Sequence, residues 1–276
     1  MRKVGIALIL SILLVSCANV NKNNSNSTSS QAYNAILVDD NYLLNKYLSE
    51  NSNISEEQLN IFLYQALENN SLKSLKTLLD RGANVNFVDV KNGKTPIFYV
   101  RSIEALDILI SEGAYINIED SNQELLLAYF IKNKPLEYAS FLIEKGANLS
   151  SWDILLWAAI SGDASLIKQM MKYGANFTQV DTLGNYPIYY AYSEDIILEL
   201  LNEKNYDLKK TNSKKENVLG EVYLRAVANG YIPVVNKLLE LGVNPYYMSY
   251  GDNAISIAKN TSNKEMLNFL NSKGIN

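Results

Sequence analysis

Few residues in this chain are placed to do chemistry. Gly93-Lys94-Thr95 matches the end of a phosphate-binding loop, where backbone N–H groups and a lysine hold phosphate. That loop needs a glycine five residues before Gly93, and Val88 stands there. Asp89-x-Lys91-x-Gly93 starts like a calcium loop, but Lys91 replaces an acid and Val100 takes the place of the final glutamate. Glu56-Glu57 and Glu119-Asp120 are adjacent carboxylates, the raw material of general acid–base catalysis. Their surroundings read instead as a helix N-terminus and a loop. The chain has no histidine, which removes imidazole bases, Ser-His-Asp triads and histidine metal ligands. Its single cysteine permits neither an intrachain disulfide nor a cysteine-rich zinc site. The expectation is therefore a protein without catalytic residues, metal, cofactor or small-molecule substrate. A net charge of −4 also lacks the basic footprint of a nucleic-acid binder.

The lone cysteine, Cys17, has a legible context. Arg2 and Lys3 precede an apolar run from Val4 to Ser16, too short to cross a bilayer as a helix but sized for the core of a signal peptide. Leu14-Val15-Ser16-Cys17 resembles the lipobox of bacterial lipoproteins. The resemblance implies removal of residues 1–16 and lipid attachment at Cys17, with two or more acyl chains giving a stable membrane anchor. Ala18, rather than Asp, implies sorting to the outer membrane of the cell envelope. Residues 17–31 are rich in Asn and Ser and have little to bury, so they are expected to be a disordered tether of roughly 20 Å.

From residue 32 to 276 one pattern repeats. Leu78-Leu79-x-x-Gly82-Ala83-Asn84 returns around Gly113, Gly146, Gly174, Gly242 and Gly274, with Asn51 and Lys204 in the glycine position of two weaker copies. The eight anchors fall about every 32 residues. Three, four and seven residues before them stand almost only apolar side chains, which makes one apolar helical face per copy. The anchor glycine suits a left-handed residue closing that helix, and asparagine is the next-best residue there. Asn92-Gly93-Lys94-Thr95-Pro96 and Leu183-Gly184-Asn185-Tyr186-Pro187 carry a turn and then a proline-led helix start. Ala158-Ala159 and Ala226 mark further first helices.

Together these phrases resemble the ankyrin repeat. The resemblance implies an all-α solenoid of about eight helix-turn-helix units with short hairpin fingers, each unit burying its apolar face against its neighbours. Departures from the family are specific. The copies starting at Thr95 and Tyr186 are three residues short before their anchors, so their first helix or inter-helix turn should lose about one turn. Only seven residues separate Gly146 from Asp153, so the finger there should be missing. The finger between Lys204 and Glu221 is long and lysine-rich.

In ankyrin proteins finger tips and first-helix ends bind other proteins. Carried over by position, the candidate contacts are Lys91, Asn92 and Lys94; Thr182, Leu183 and Asn185; Glu68 and Asn69; Ile160 and Ser161; and Ala228 and Asn229. Tyr246, Tyr247 and Tyr250 join them, since tyrosine is enriched at interfaces. Tyr189, Tyr190 and Tyr192 are the same residue type, but AT-rich codons account for much of the tyrosine and asparagine in this chain. The expected partners are another protein and a membrane held through Cys17. Three roles remain open: a scaffold, an inhibitor or immunity-like protein with one envelope target, and a host-facing surface protein.

Overall fold

The computed structural model describes residues 25–161, 163–203 and 205–276. The expected signal sequence, Cys17, the first part of the expected tether and the anchor at Lys204 lie outside the described residues. Two compact units divide the described residues: one runs to Tyr115 and adds 120–122, and the other takes 116–119 and 123–276. Among the described residues there are helices and isolated antiparallel bridges, and no sheet.

Among the described residues the first unit holds three helix pairs. These are α1 (Ser25–Leu37) with α2 (Asn41–Glu50), α3 (Glu56–Asn69) with α4 (Leu72–Asp80), and a 3-10 helix (Pro96–Tyr99) with α5 (Ile103–Ser111). First helices stack on first helices and second on second, so α1 meets α3, α3 meets the 3-10 helix, and α2, α4 and α5 form a parallel row. The core is the stripe read from the repeats, with Leu44, Leu75, Leu78, Leu106 and Leu109 fully buried. Helix α1 starts at Ser25, inside the segment expected to be a disordered tether. Its packing residues, Ala32, Ala35 and Ile36, fix the C-terminal half, and the Asn/Ser residues ahead of them continue the same turns.

Among the described residues the second unit holds five pairs. They are α6 (Leu126–Asn133) with α7 (Leu136–Glu144), α8 (Trp152–Ser161) with α9 (Ala164–Lys172), and a 3-10 helix (Pro187–Tyr190) with α10 (Glu194–Leu200). Then come α11 (Val218–Asn229) with α12 (Ile232–Leu241) and α13 (Ala254–Asn260) with α14 (Lys264–Ser272). The same two-row stacking applies. The eight pairs are the eight repeats, and this is the ankyrin-repeat architecture.

Both short repeats have a four-residue 3-10 helix where the others have a first helix of seven or more residues. The missing turn falls where the anchor spacing puts it. The finger between Gly146 and α8 is absent as well. All six anchor glycines adopt φ between +76° and +96°. Asn51 does not. Its φ is −120°, and it closes α2 by donating both its backbone N–H and its side-chain Nδ2 (2.8 Å) to the Tyr47 carbonyl. An amide side chain can satisfy an orphan carbonyl directly, so the left-handed turn is not needed there. Polar caps start many of the helices. Asp163 accepts from the N–H groups of Ser165 (2.7 Å) and Leu166 (3.0 Å) at the start of α9. Glu56 and Glu57 occupy the first turn of α3, where carboxylates favour the positive helix end.

Candidate protein-binding face

In the first unit the finger after α4 is built on three rings. Tyr64 packs edge-on against Tyr99 at 5.1 Å and against Phe87 at 6.2 Å. Its hydroxyl lies within hydrogen-bonding distance of the Phe87 carbonyl (3.1 Å) and the Lys94 carbonyl (3.2 Å). Burial pushes the Tyr64 hydroxyl far above the usual tyrosine range, so it stays a donor. At the tip Asp89 accepts from the Lys91 N–H and from the Tyr99 hydroxyl. Gly93 (φ +70°) makes the turn, and the Ser121 backbone of the next finger lies against it, donating to the Asn92 carbonyl at 2.9 Å.

This geometry divides the candidates of that finger. Asn92 is half-buried; its Nδ2 donates to Tyr99 Oη (2.7 Å) and its Oδ1 accepts from Lys94 N–H (2.9 Å). The Lys94 ammonium stands 3.8 Å from buried Asp120 and over the Phe98 ring. These two shape the finger. Lys91 is exposed beside Val90, which is 93% exposed. At the end of α3, Glu68 is half-buried and Asn69 exposed, with Asn69 Nδ2 turned back to the Gln65 carbonyl.

The second unit repeats the device. Asp181 accepts from the N–H groups of Leu183 and Asn185, both at 2.8 Å, and from the Tyr190 hydroxyl. Thr182 and Leu183 are exposed at the tip. Asn185, a candidate contact, is buried instead; its amide bridges Tyr190 Oη (3.0 Å) and Asn212 (3.1 Å). Its side chain is therefore unavailable to a partner. Ile160, Ser161, Ala228 and Asn229 are exposed at the ends of α8 and α11. In the long finger Lys209, Lys214 and Lys215 are exposed, and Lys215 (φ +64°) takes the left-handed position that Gly93 and Gly184 fill elsewhere.

The structure also assembles a cluster that sequence reasoning did not find. Buried Glu216 accepts from Asn212 Nδ2 (2.9 Å), Tyr250 Oη (2.6 Å) and Tyr189 Oη (3.4 Å). Those hydrogen bonds, Asn212 first and Tyr250 next, hold its carboxyl below the usual range, so it is ionised at neutral pH. Tyr247 donates to Glu221 Oε1 (2.7 Å), and burial followed by that bond raises its hydroxyl to about 12. Its ring fits because position 220 is glycine: a Cβ there would lie 2.6 Å from the ring. So Tyr247 and Tyr250 are committed to carboxylates of the neighbouring repeat, although Tyr250 keeps 87% of its surface exposed. Tyr246 is exposed with a long bond (3.4 Å) to the Gly274 carbonyl.

Arg225 completes the cluster. It donates Nη1 to the Tyr189 carbonyl (2.7 Å) and Nη2 to those of Ile188 (3.2 Å) and Ala191 (3.0 Å). Its guanidinium also lies over the rings of Tyr189 and Tyr192. The four-residue 3-10 helix closes on itself through the Ala191 N–H to the Ile188 carbonyl (3.3 Å), and Arg225 supplies donors to the Tyr189 and Ala191 carbonyls that no following turn pairs. The signal was present: a repeat three residues short, followed by an arginine on the inner helix of the next one.

The comparisons with known proteins agree on the repeat. Residues 63–153 match the family model described as ankyrin repeats, in three copies. A putative ankyrin repeat protein of Acanthamoeba polyphaga mimivirus is 24% identical over 74% of this chain and 28% of its own length. A second from the same virus is 31% identical over 53% of this chain and 45% of its own. The BRCA1-associated RING domain protein 1 of Caenorhabditis elegans is 30% identical over 32% of this chain and 13% of its own. The chain thus spans less than half of these relatives. The crystal structure of the human ASB11 ankyrin repeat domain superposes with a TM-score of 0.57 at 19% identity, covering 77% of this chain and 98% of that one. Among the described residues no helix is long and apolar enough to cross a membrane.

Proposed function

We propose that this chain is a protein-binding scaffold held at a bacterial envelope membrane by lipid on Cys17. The observation that carries the binding half is the division of labour within each finger. Asp89, Tyr99 and Asn92, and likewise Asp181, Tyr190 and Asn185, fix the backbone. Val90, Lys91, Thr182, Leu183 and Tyr246 then project from it with exposed side chains. A rigid frame carrying exposed apolar and tyrosine side chains lowers the ordering cost of association. The anchoring half rests on Leu14-Val15-Ser16-Cys17 following a leader-sized apolar run.

Each half has its own test. Cys17→Ser should move the protein from the membrane fraction to the soluble fraction; unchanged fractionation would refute the anchor. Proteins captured from envelope extract by the wild type should be lost to a variant carrying Val90→Asp, Leu183→Asp and Tyr246→Asp. Equal capture by both would refute the assignment of the finger tips.

A further inference from the structure

We infer that the turn between α1 and α2 is a lipid-contact patch that rests on the bilayer holding Cys17, an inference that depends on the anchor proposed above. Leu37 is 52% exposed, Val38 69%, Tyr42 74% and Leu43 48%. Four apolar or aromatic side chains thus face solvent within seven consecutive residues. Two aspartates sit among them, and both carboxylates are already engaged. Asp40 accepts from the N–H groups of Tyr42 and Leu43, each at 3.0 Å. Asp39 accepts from those of Lys73 (3.2 Å) and Ser74 (2.9 Å). Each acid therefore lies at the positive N-terminal end of a helix, α2 or α4, which offsets its charge. Lys46 is exposed and lies four residues after Tyr42 and three after Leu43, on the same side of α2. Aliphatic side chains flanked by tyrosine and lysine are the composition of a surface lying at the headgroup level of a bilayer.

Chain length commits the patch to this occupant. Eight residues lead from Cys17 to Ser25 and reach up to about 28 Å when extended. Helix α1 has 13 residues and is about 20 Å long. Eight residues therefore suffice to span the length of α1, which lets the far end of the helix reach the surface in which Cys17 is held. Such a small patch binds weakly by itself. A connection of so few residues provides an effective concentration in the millimolar range, so a contact that fails for the free protein is populated for the anchored one.

The test couples the chain from Cys17 onward, through its only cysteine, to a maleimide phospholipid in phosphatidylcholine vesicles that also contain a diazirine-bearing lipid. After irradiation, mass spectrometry should find the label concentrated between residues 37 and 46. Val38→Asp with Tyr42→Asp should reduce it at least fivefold while leaving the helical circular dichroism unchanged. Uncoupled protein mixed with the same vesicles should label at least tenfold less. Label spread evenly, label concentrated at the finger tips around Val90 or Tyr250, or label indifferent to the two substitutions would overturn the inference. So would concentration-dependent dimerisation in solution that the same substitutions abolish. Coupling is chemical, so these outcomes are independent of whether cells lipidate Cys17, which fractionation of Cys17→Ser decides.

Discussion

Replacing Arg225 with methionine keeps most of the aliphatic stem and removes every donor. The carbonyls of Tyr189 and Ala191 lose their partner, and Ala191 is fully buried, whereas the Ile188 carbonyl keeps the Ala191 N–H at 3.3 Å. A buried group left unpaired costs about 1–3 kcal/mol, which is the contribution of the Ala191 carbonyl. The loss of the contacts with Tyr189 and Tyr192 adds about 0.5–1 kcal/mol each. The opposing term is desolvation. Burial makes the guanidinium a weaker base than usual, and its Nε has no hydrogen-bond partner among the described residues. Methionine recovers that penalty, which leaves a net destabilisation of about 1–3 kcal/mol. Urea unfolding measured by circular dichroism gives the magnitude. Tryptophan emission gives the location, because Trp152 in α8 contacts the Tyr190 ring. Amide exchange should accelerate first across residues 187–200. A loss below 1 kcal/mol, or exchange that rises equally in every repeat, would refute the idea that Arg225 stands in for the missing helical turn.

Gly220→Ala should force Tyr247 out of its seat, destabilising by about 1–3 kcal/mol and returning the Tyr247 hydroxyl toward 10, read by ultraviolet titration against a Tyr247→Phe control. Glu216 has its folded-state carboxyl pKa depressed, so its contribution is present above the unfolded value and is lost as pH falls through the folded one. Glu216→Gln should therefore flatten the acid limb of the stability profile, measured by urea unfolding at stepped pH. Leu109→Ala and Leu142→Ala remove fully buried side chains and should each cost about 2–5 kcal/mol, with faster exchange in the adjacent repeats.

The helices were legible because apolar spacing maps directly onto buried faces: Leu78, Leu109, Leu142 and Leu238 are all fully buried. The two shortened repeats were legible for a related reason, since residue count between anchors limits how many turns fit. Exposure at the finger tips was only partly legible. Lys91 and Asn92 are neighbours in sequence, yet one faces solvent and the other locks onto Tyr99. Asn185 looked like a tip residue and is buried because the next finger brings Asn212 against it. No local signal carries that, because the partner lies 27 residues away.

The sequence by itself therefore determined the repeat, its period, the apolar stripe, the turns at the six anchor glycines and the places where a turn or a finger is lost. These follow from local backbone geometry and from periodic burial, which operate within one repeat. Tertiary structure alone decided which polar groups meet across repeats. Arg225 reaches the carbonyls of the shortened helix, Glu216 gathers Asn212, Tyr189 and Tyr250, and Asp39 caps α4. Hydrogen bonds are short and directional, so their partners depend on how neighbouring repeats stack. Apolar burial has no such directionality, so a periodic pattern suffices to specify it.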